Sequence, residues 1–333
     1  MKKNIILMIL ICGVLVFSGC GLKEGLVEPV DTTDTSEVLF TVPSGASTTK
    51  IAGLLKEQEL IKSEQGFKFL SKDLGSDGKM QAGDYIISPS MSGQDIITKL
   101  VAGDTYVETD TFTIPEGFEV RQITYKLEAE GLIDPATFYT ALREDEFTND
   151  FLNDINRSYD LEGYLFPDTY EIEKGATEHE IIQLMLNRFE RFLTSEIQSE
   201  IALKGLTLDD FVTMASIVER EAQLEDERGK VASVFYNRIE KGMLFQSCAT
   251  VQYILGERKD VLSFDDIAID SPYNTYKYAG LTPSPIANPG EASLLATLHP
   301  EDTDYLYFRR SVKNDGSQVF TKTLKEHEAA RNK

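Results

Sequence analysis

The chain has 333 residues, 41% of them hydrophobic, which is material for two or three small cores rather than one. Its 55 acidic residues outweigh 33 basic ones, for a formal charge of −22. That balance argues against nucleic acid, whose affinity rests on clustered Lys and Arg meeting phosphates, and against docking on anionic lipid through a basic face.

In chain order, the first signal is Lys2 and Lys3, then an apolar run from Ile5 to Phe17, then Ser18-Gly19-Cys20. The run falls short of the roughly 20 apolar residues that span a bilayer and has the charge order of a secretory signal. Small residues directly before a cysteine resemble a lipoprotein signal, in which cleavage leaves Cys20 as a lipidated N-terminus; an uncleaved anchor over residues 1–20 is the alternative. Both place the chain on the outer face of the cytoplasmic membrane. Residues 21–37 are polar, rich in Asp, Glu and Thr, and read as a flexible tether. With Cys12 in the signal and Cys20 at the candidate lipid site, Cys248 has no intrachain partner left. His179, His299 and His327 stand apart with no HExxH or CxxC spacing, so no metal or other cofactor is expected.

Compared with itself at an offset of 72, the chain repeats. Residues 40–61 (FTVPSGASTTKIAGLLKEQELI) align with 112–133 (FTIPEGFEVRQITYKLEAEGLI), with eight identities in 22 positions. Each copy reads as a strand, a Pro-x-Gly turn and an amphipathic helix with Ile51 and Leu55, or Ile123 and Leu127, on its apolar face. The match resumes at an offset of 85, Tyr85 with Tyr170 and Ile96-Ile97 with Ile181-Ile182, which implies an insertion around 144–156. Two related modules result, 38–103 and 110–195. They resemble LysM-like glycan-binding units; a duplicated scaffold that binds nothing is the other reading.

From 205 to 333 the character changes. Thr207 is a helix cap with Asp209 and Asp210 in the first turn, and Phe211 to Leu224 has helical periodicity. A second helix is expected from Glu227 to Lys241, ending before Gly242. The Pro-, Gly-, Asn- and Tyr-rich stretch 270–290 is irregular, and such length inside a domain is more often a functional loop than an idle one. On a helical wheel with Phe211 at zero, Phe211, Ala215, Val218 and Ala222 form the core face. Glu219 then falls near about 80° and Glu221 near about 280°, on opposite flanks. Glu221 lies beside Met214 and Ile217 and is the one placed for desolvation, which raises a carboxyl pKa toward that of a general acid. The fold class that follows is α+β, two small duplicated strand–turn–helix modules and then a mixed helical and irregular domain.

The segments LEGYLFPDTY (161–170), TMASIVEREA (213–222), KVASVFYNRIEKGM (230–243), YNTY (273–276), GLTPSPIANPG (280–290) and LYF (306–308) resemble, in order and spacing, the motifs of the YceG-like family, the MltG-type endolytic murein transglycosylases. The resemblance runs over roughly residues 38–330. It implies a peptidoglycan lytic transglycosylase in which the second Glu of ASI-x-E-x-E, here Glu221, is catalytic, and it suggests association with the cell-wall synthesis machinery. It also departs in one place. After Gln246 this chain reads Ser-Cys-Ala-Thr-Val where Ser-Asp-Pro-Thr-Val is expected, and Cys248 has no histidine placed to activate it as a nucleophile.

A single carboxylate suits a lytic transglycosylase, whereas glycoside hydrolases need a pair. Around Glu221, the candidates for holding substrate are Gln246, Asn274, Tyr276, Asn288, Glu162 and Glu219, as amide, phenol and carboxyl groups in or beside irregular segments. Each has a structural alternative: Asn288 shaping a turn, Tyr276 in a core, Glu162 capping a backbone. Two other readings stay open, a non-catalytic peptidoglycan-binding lipoprotein and a solute-binding lipoprotein. A pyridoxal phosphate lyase is disfavoured by the export signal.

Overall fold

The computed structural model describes residues 27–313 and 315–332. The signal-like segment with Cys12 and Cys20, and residues 21–26 of the tether, lie outside the described residues. The chain divides into two units, one ending at Glu108 and one beginning at Thr109.

The first unit runs β1 (Val38–Val42), α1 (Thr48–Glu57), α2 (Glu64–Asp73), β2 (Gly83–Ile87) and α3 (Gly93–Ala102). Its helices start where a serine hydroxyl takes an otherwise orphaned backbone N–H: Ser47 from Lys50, Ser63 from Gly66 and Ser92 from Asp95. Each such cap is worth about 1 kcal/mol. β1 and β2 pair antiparallel with Phe40 opposite Tyr85, and both rings enter a core with Ile51, Leu55, Ile96 and Leu100. The segment 27–36 has no regular structure, yet it is not a free tether. Val27 O accepts from Gly93 N (2.7 Å), Asp31 N donates to Pro89 O (3.2 Å), and Ser88 Oγ donates to Asp34 O (2.9 Å). Polar sequence here supplies backbone partners rather than slack.

The second unit opens on the same element order: β3 (Thr109–Thr113), α4 (Val120–Ala129), α5 (Pro135–Glu144), β4 (Thr169–Glu173) and α6 (Glu178–Phe192). The register also repeats, with Phe112 opposite Tyr170. Where residues 74–82 suffice between α2 and β2, residues 145–168 join α5 to β4, with 3-10 turns at Asp150–Asp154 and Arg157–Tyr159. The extra chain includes the expected insertion and continues into the LEGYLFPDTY segment.

Then follow α7 (Ser195–Leu203), α8 (Leu208–Glu221), α9 (Arg228–Glu240), α10 (Cys248–Leu255), α11 (Phe264–Ala268), α12 (Glu291–Leu298), a hairpin of β5 (Tyr307–Arg310) and β6 (Gln318–Thr321), and α13 (Leu324–Ala329). The sequence puts a boundary between 195 and 205, but one apolar cluster runs across it, joining Phe112, Ile123 and Phe189 to Phe211, Val212, Ala215 and Leu298. A second cluster holds Met214, Ile217 and Val218 with Val231, Phe235, Phe245 and Ile286. α8 therefore lies between two cores, and every residue from Phe211 to Val218 is buried. Beyond that buried stretch, its last turn, residues 219–221, presents polar groups.

Candidate active site

α8 begins in a capping box, Thr207 Oγ1 accepting from Asp210 N while Asp210 returns its carboxylate to Thr207 N. It ends at Glu221, three residues before the periodicity does, because Ala222 turns extended. The Glu221 carbonyl, left without a helical partner, accepts from Gln318 Nε2 on β6 at 2.7 Å. A helix end held this way puts the Glu221 side chain at the wall of a cavity of about 610 Å³.

Across from it, Gln246 sits at φ 47°, a left-handed conformation uncommon for a residue with a side chain. That turn aims the next residues inward: the Ser247 hydroxyl donates to Glu221 Oε1, and Ala249 N approaches the same oxygen at 3.4 Å. Ser247 is itself fixed by Thr275 and Thr250, its N–H donating to Thr275 Oγ1 (3.1 Å) and its carbonyl accepting from Thr250 Oγ1 (2.9 Å). Among the described residues no protein hydrogen bond reaches Glu221 Oε2, which leaves that oxygen for a ligand in the cavity. Burial raises the Glu221 pKa; the Ser247 and Ala249 hydrogen bonds and the charges of Arg238 and Arg220 offset part of the rise. The group is poised to hold a proton at higher pH than an ordinary glutamate.

Of the sequence-derived candidates, Gln246 and Tyr276 line this cavity with Glu221, and so does Cys248. Tyr276 OH lies 3.1 Å from Cys248 Sγ, and burial pushes both their proton affinities up, so the thiol is not a ready thiolate. Four others lie elsewhere. Asn274 is 0% exposed; its Nδ2 donates to Ile267 O and Ile269 O and its Oδ1 accepts from Tyr276 N, so it shapes the loop that carries Tyr276. Asn288, also 0% exposed, accepts from Gly163 N and Leu165 N and donates to Phe118 O and Glu162. Neither amide has an atom to spare for a sugar.

Glu219 faces away from Glu221, accepting from Gly290 N at 3.2 Å and Arg228 Nη2 at 3.4 Å, as the wheel expects for the opposite flank. Glu162 takes the Val120 N–H at the start of α4 (3.0 Å), the capping role that was its structural alternative. It borders a separate cavity of about 340 Å³ with Glu119, Arg121, Tyr253 and Tyr273. Burial, and after it the charge of Glu119, pushes the Glu162 pKa up to about 8.

Sequence reading missed Ser247, Arg238, Tyr307 and Gln318. Ser247 was visible as the neighbour of Gln246, and Tyr307 stands in the LYF motif. Arg238, in the KVASVFYNRIEKGM segment, is 6% exposed and donates to Leu306 O (2.7 Å), Leu244 O (3.2 Å) and Phe245 O, pinning the chain before Gln246. Gln318 carried no local signal. Besides Glu221, the cavity has one carboxylate in its lining, Asp260, in an exposed loop residue. Among the described residues no cluster of His, Cys, Asp and Glu is placed to hold a metal ion.

The model of the YceG-like family matches residues 40–333. An endolytic murein transglycosylase of Bacillus subtilis is 41% identical over 323 residues, covering 93% of this chain and 88% of the relative. One of Streptococcus pneumoniae serotype 2 is 29% identical over 326 residues, covering 90% of this chain and 59% of the relative. The crystal structure of a yceG-like protein from Listeria monocytogenes superposes with a TM-score of 0.59 at 34% identity, over 88% of this chain and 99% of the other.

Proposed function

The chain belongs to the YceG-like family, and from that premise we propose that it is an endolytic peptidoglycan lytic transglycosylase with Glu221 as its acid and base. The observation that carries the reading is a single desolvated glutamate, held on one oxygen by Ser247 and open on the other, in a cavity of disaccharide scale without a second buried carboxylate. Protonated Glu221 gives its proton to O4, the oxygen bridging C1 of N-acetylmuramic acid and C4 of N-acetylglucosamine, and the C1–O4 bond breaks. The resulting carboxylate takes the proton of the muramoyl 6-hydroxyl as O6 bonds to C1, closing a 1,6-anhydro ring and restoring the acid. The field of the carboxylate stabilises the oxocarbenium-like state between the two steps. No water enters the bond balance. Gln246 and Tyr276, on the same wall, are the groups proposed to hold sugar substituents.

The test is product analysis. Uncrosslinked glycan strands incubated with residues 27–333 yield fragments with anhydro-muramoyl ends by mass spectrometry; reducing ends mean a hydrolase instead, and intact strands a binding protein. Glu221→Gln keeps the fold and loses about 10²–10⁴-fold in kcat.

The protein works on the outer face of the cytoplasmic membrane, tethered through Cys20, on strands emerging from the cell-wall synthases; labelled palmitate entering the wild type and not Cys20→Ala checks the tether. The stretches 38–103 and 110–195 are LysM-like modules, a reading supported by their shared element order and register. Cleavage close to the site of synthesis sets strand length.

A further inference from the structure

A glycan backbone whose muramoyl lactyl groups are amide-linked to their stems is uncharged, yet the cavity around Glu221 is basic. Arg220, Arg238, Arg258, Lys259, Arg309 and Arg310 line it against Glu221 and Asp260, in a chain whose net charge is −22. The excess is specific to this place. Among arginines whose side chains are described, Arg121, Arg143, Arg188, Arg220 and Arg228 each reach a carboxylate. Of those that do not, Arg191, Arg238, Arg258, Arg309, Arg310 and Arg331, four border this one cavity. An acidic protein has carboxylates in surplus, so arginines left without one beside a site are available to an incoming anion.

The geometry surrounds Glu221 with these groups. Arg310 stands opposite Gln318 in the β5–β6 register and shares its face of the hairpin, the face from which Gln318 reaches the Glu221 carbonyl. Arg309 is on the other face with Tyr307, whose ring meets both His327 and the Arg238 guanidinium. Its Nε is enclosed with no partner, and so is Gln318 Oε1 beside Glu221. Arg258 comes from the other side, on the exposed loop after α10, whose first turn holds Ala249 against Glu221.

We propose that this wall is a carboxylate-binding subsite in which Arg258, Arg309 and Arg310 receive the acidic peptide stem of the muramoyl residue beside the scissile bond. The proposal rests on the transglycosylase reading and adds a specificity to it: strands with free stem carboxylates are preferred over bare glycan. Guanidinium–carboxylate pairs are charge-assisted and bidentate, and a neutral sugar cannot replace them.

The experiment compares kcat/KM on three uncrosslinked substrates: strands with stems, strands stripped by an amidase whose newly exposed lactyl carboxylates have been capped as amides, and strands whose stem carboxylates have been converted to amides. Wild type is expected to favour the first by about 10-fold or more, chiefly in KM, with the preference shrinking as salt rises. Arg309→Ala/Arg310→Ala removes the preference, bringing kcat/KM on stem-bearing strands down to its own value on stripped strands. Arg258→Ala, in an exposed loop where folding is not at risk, lowers the preference on its own. Equal wild-type rates on all three substrates overturn the subsite while leaving the transglycosylase reading intact, and so do variants that lose equally on all three. A preference that tracks a polyprenyl pyrophosphate end rather than the stems overturns it in favour of a lipid-linked anion. Failure of wild type to cut any strand rejects both readings together.

Discussion

Glu221 gains proton affinity from burial and loses part of it to the Ser247 hydroxyl, the Ala249 amide and the charges of Arg238 and Arg220. The acid must start protonated, so activity falls as pH rises through its pKa. Ser247→Ala removes a donor that favours the carboxylate; the proton is then held to higher pH, and the alkaline limb of the kcat/KM profile moves upward. The low-pH plateau stays within about tenfold, the worth of one hydrogen bond. A limb that does not move would mean that Ser247 treats both protonation states alike. At this scale periodicity separated Glu219 from Glu221, because a helix has only one way to distribute its side chains. It could not tell that Asn274 and Asn288 point inward. An amide in irregular chain reads the same whether its partner is a sugar or a backbone, and only the fold supplies the Gly163 N–H and the Ile269 carbonyl as partners.

Among elements, the loop 160–168 is tied down through Glu162, which holds the first turn of α4, Asn288 and the Tyr253 hydroxyl together. Close packing enforces this: Gly163 has φ 94°, and a Cβ there would stand 2.5 Å from Pro285. The native Glu162 keeps its proton to about pH 8, whereas the unfolded chain loses it near 4.5. Between those values the native state binds more protons, so this group's contribution to stability is full below pH 4.5 and declines as pH rises toward 8. Urea unfolding at pH 5, 6.5 and 8 is therefore expected to show wild type losing ground steadily against Glu162→Gln. Parallel curves would mean that Glu162 is ionised in the native state. The start of α8 was legible because Thr207 announces it locally. The end of α8 was not, since its last carbonyl is satisfied by Gln318, far along the chain.

For the whole molecule, the repeat visible in the sequence has two fates. The first copy closes its own core around Phe40 and Tyr85. The second merges with α8 and α12 into one cluster, so the boundary drawn from composition at 195–205 has no counterpart in packing. Removing the first unit is then the clean cut. A chain of residues 109–333 is expected to stay folded and to cleave short strands within about threefold of the rate of 27–333. Its co-sedimentation with insoluble peptidoglycan should weaken by about tenfold, as loss of a second binding module would cause. Undiminished co-sedimentation would make the first unit a spacer. The acidic surface gave no hint of the basic cavity, because net charge sums over the chain while the arginines are gathered from α8, α9, the loop after α10 and the terminal hairpin.

The hydrogen bond from Gln318 to the Glu221 carbonyl also bears on inheritance. A premature stop codon shortly after Tyr305 would spare both strand pairs of the repeat and the cluster around Phe189, and would delete Gln318, Arg309 and Arg310 together. Such a chain would keep those packed parts while lacking one wall of the cavity around Glu221, so cutting would be lost without loss of the rest of the fold.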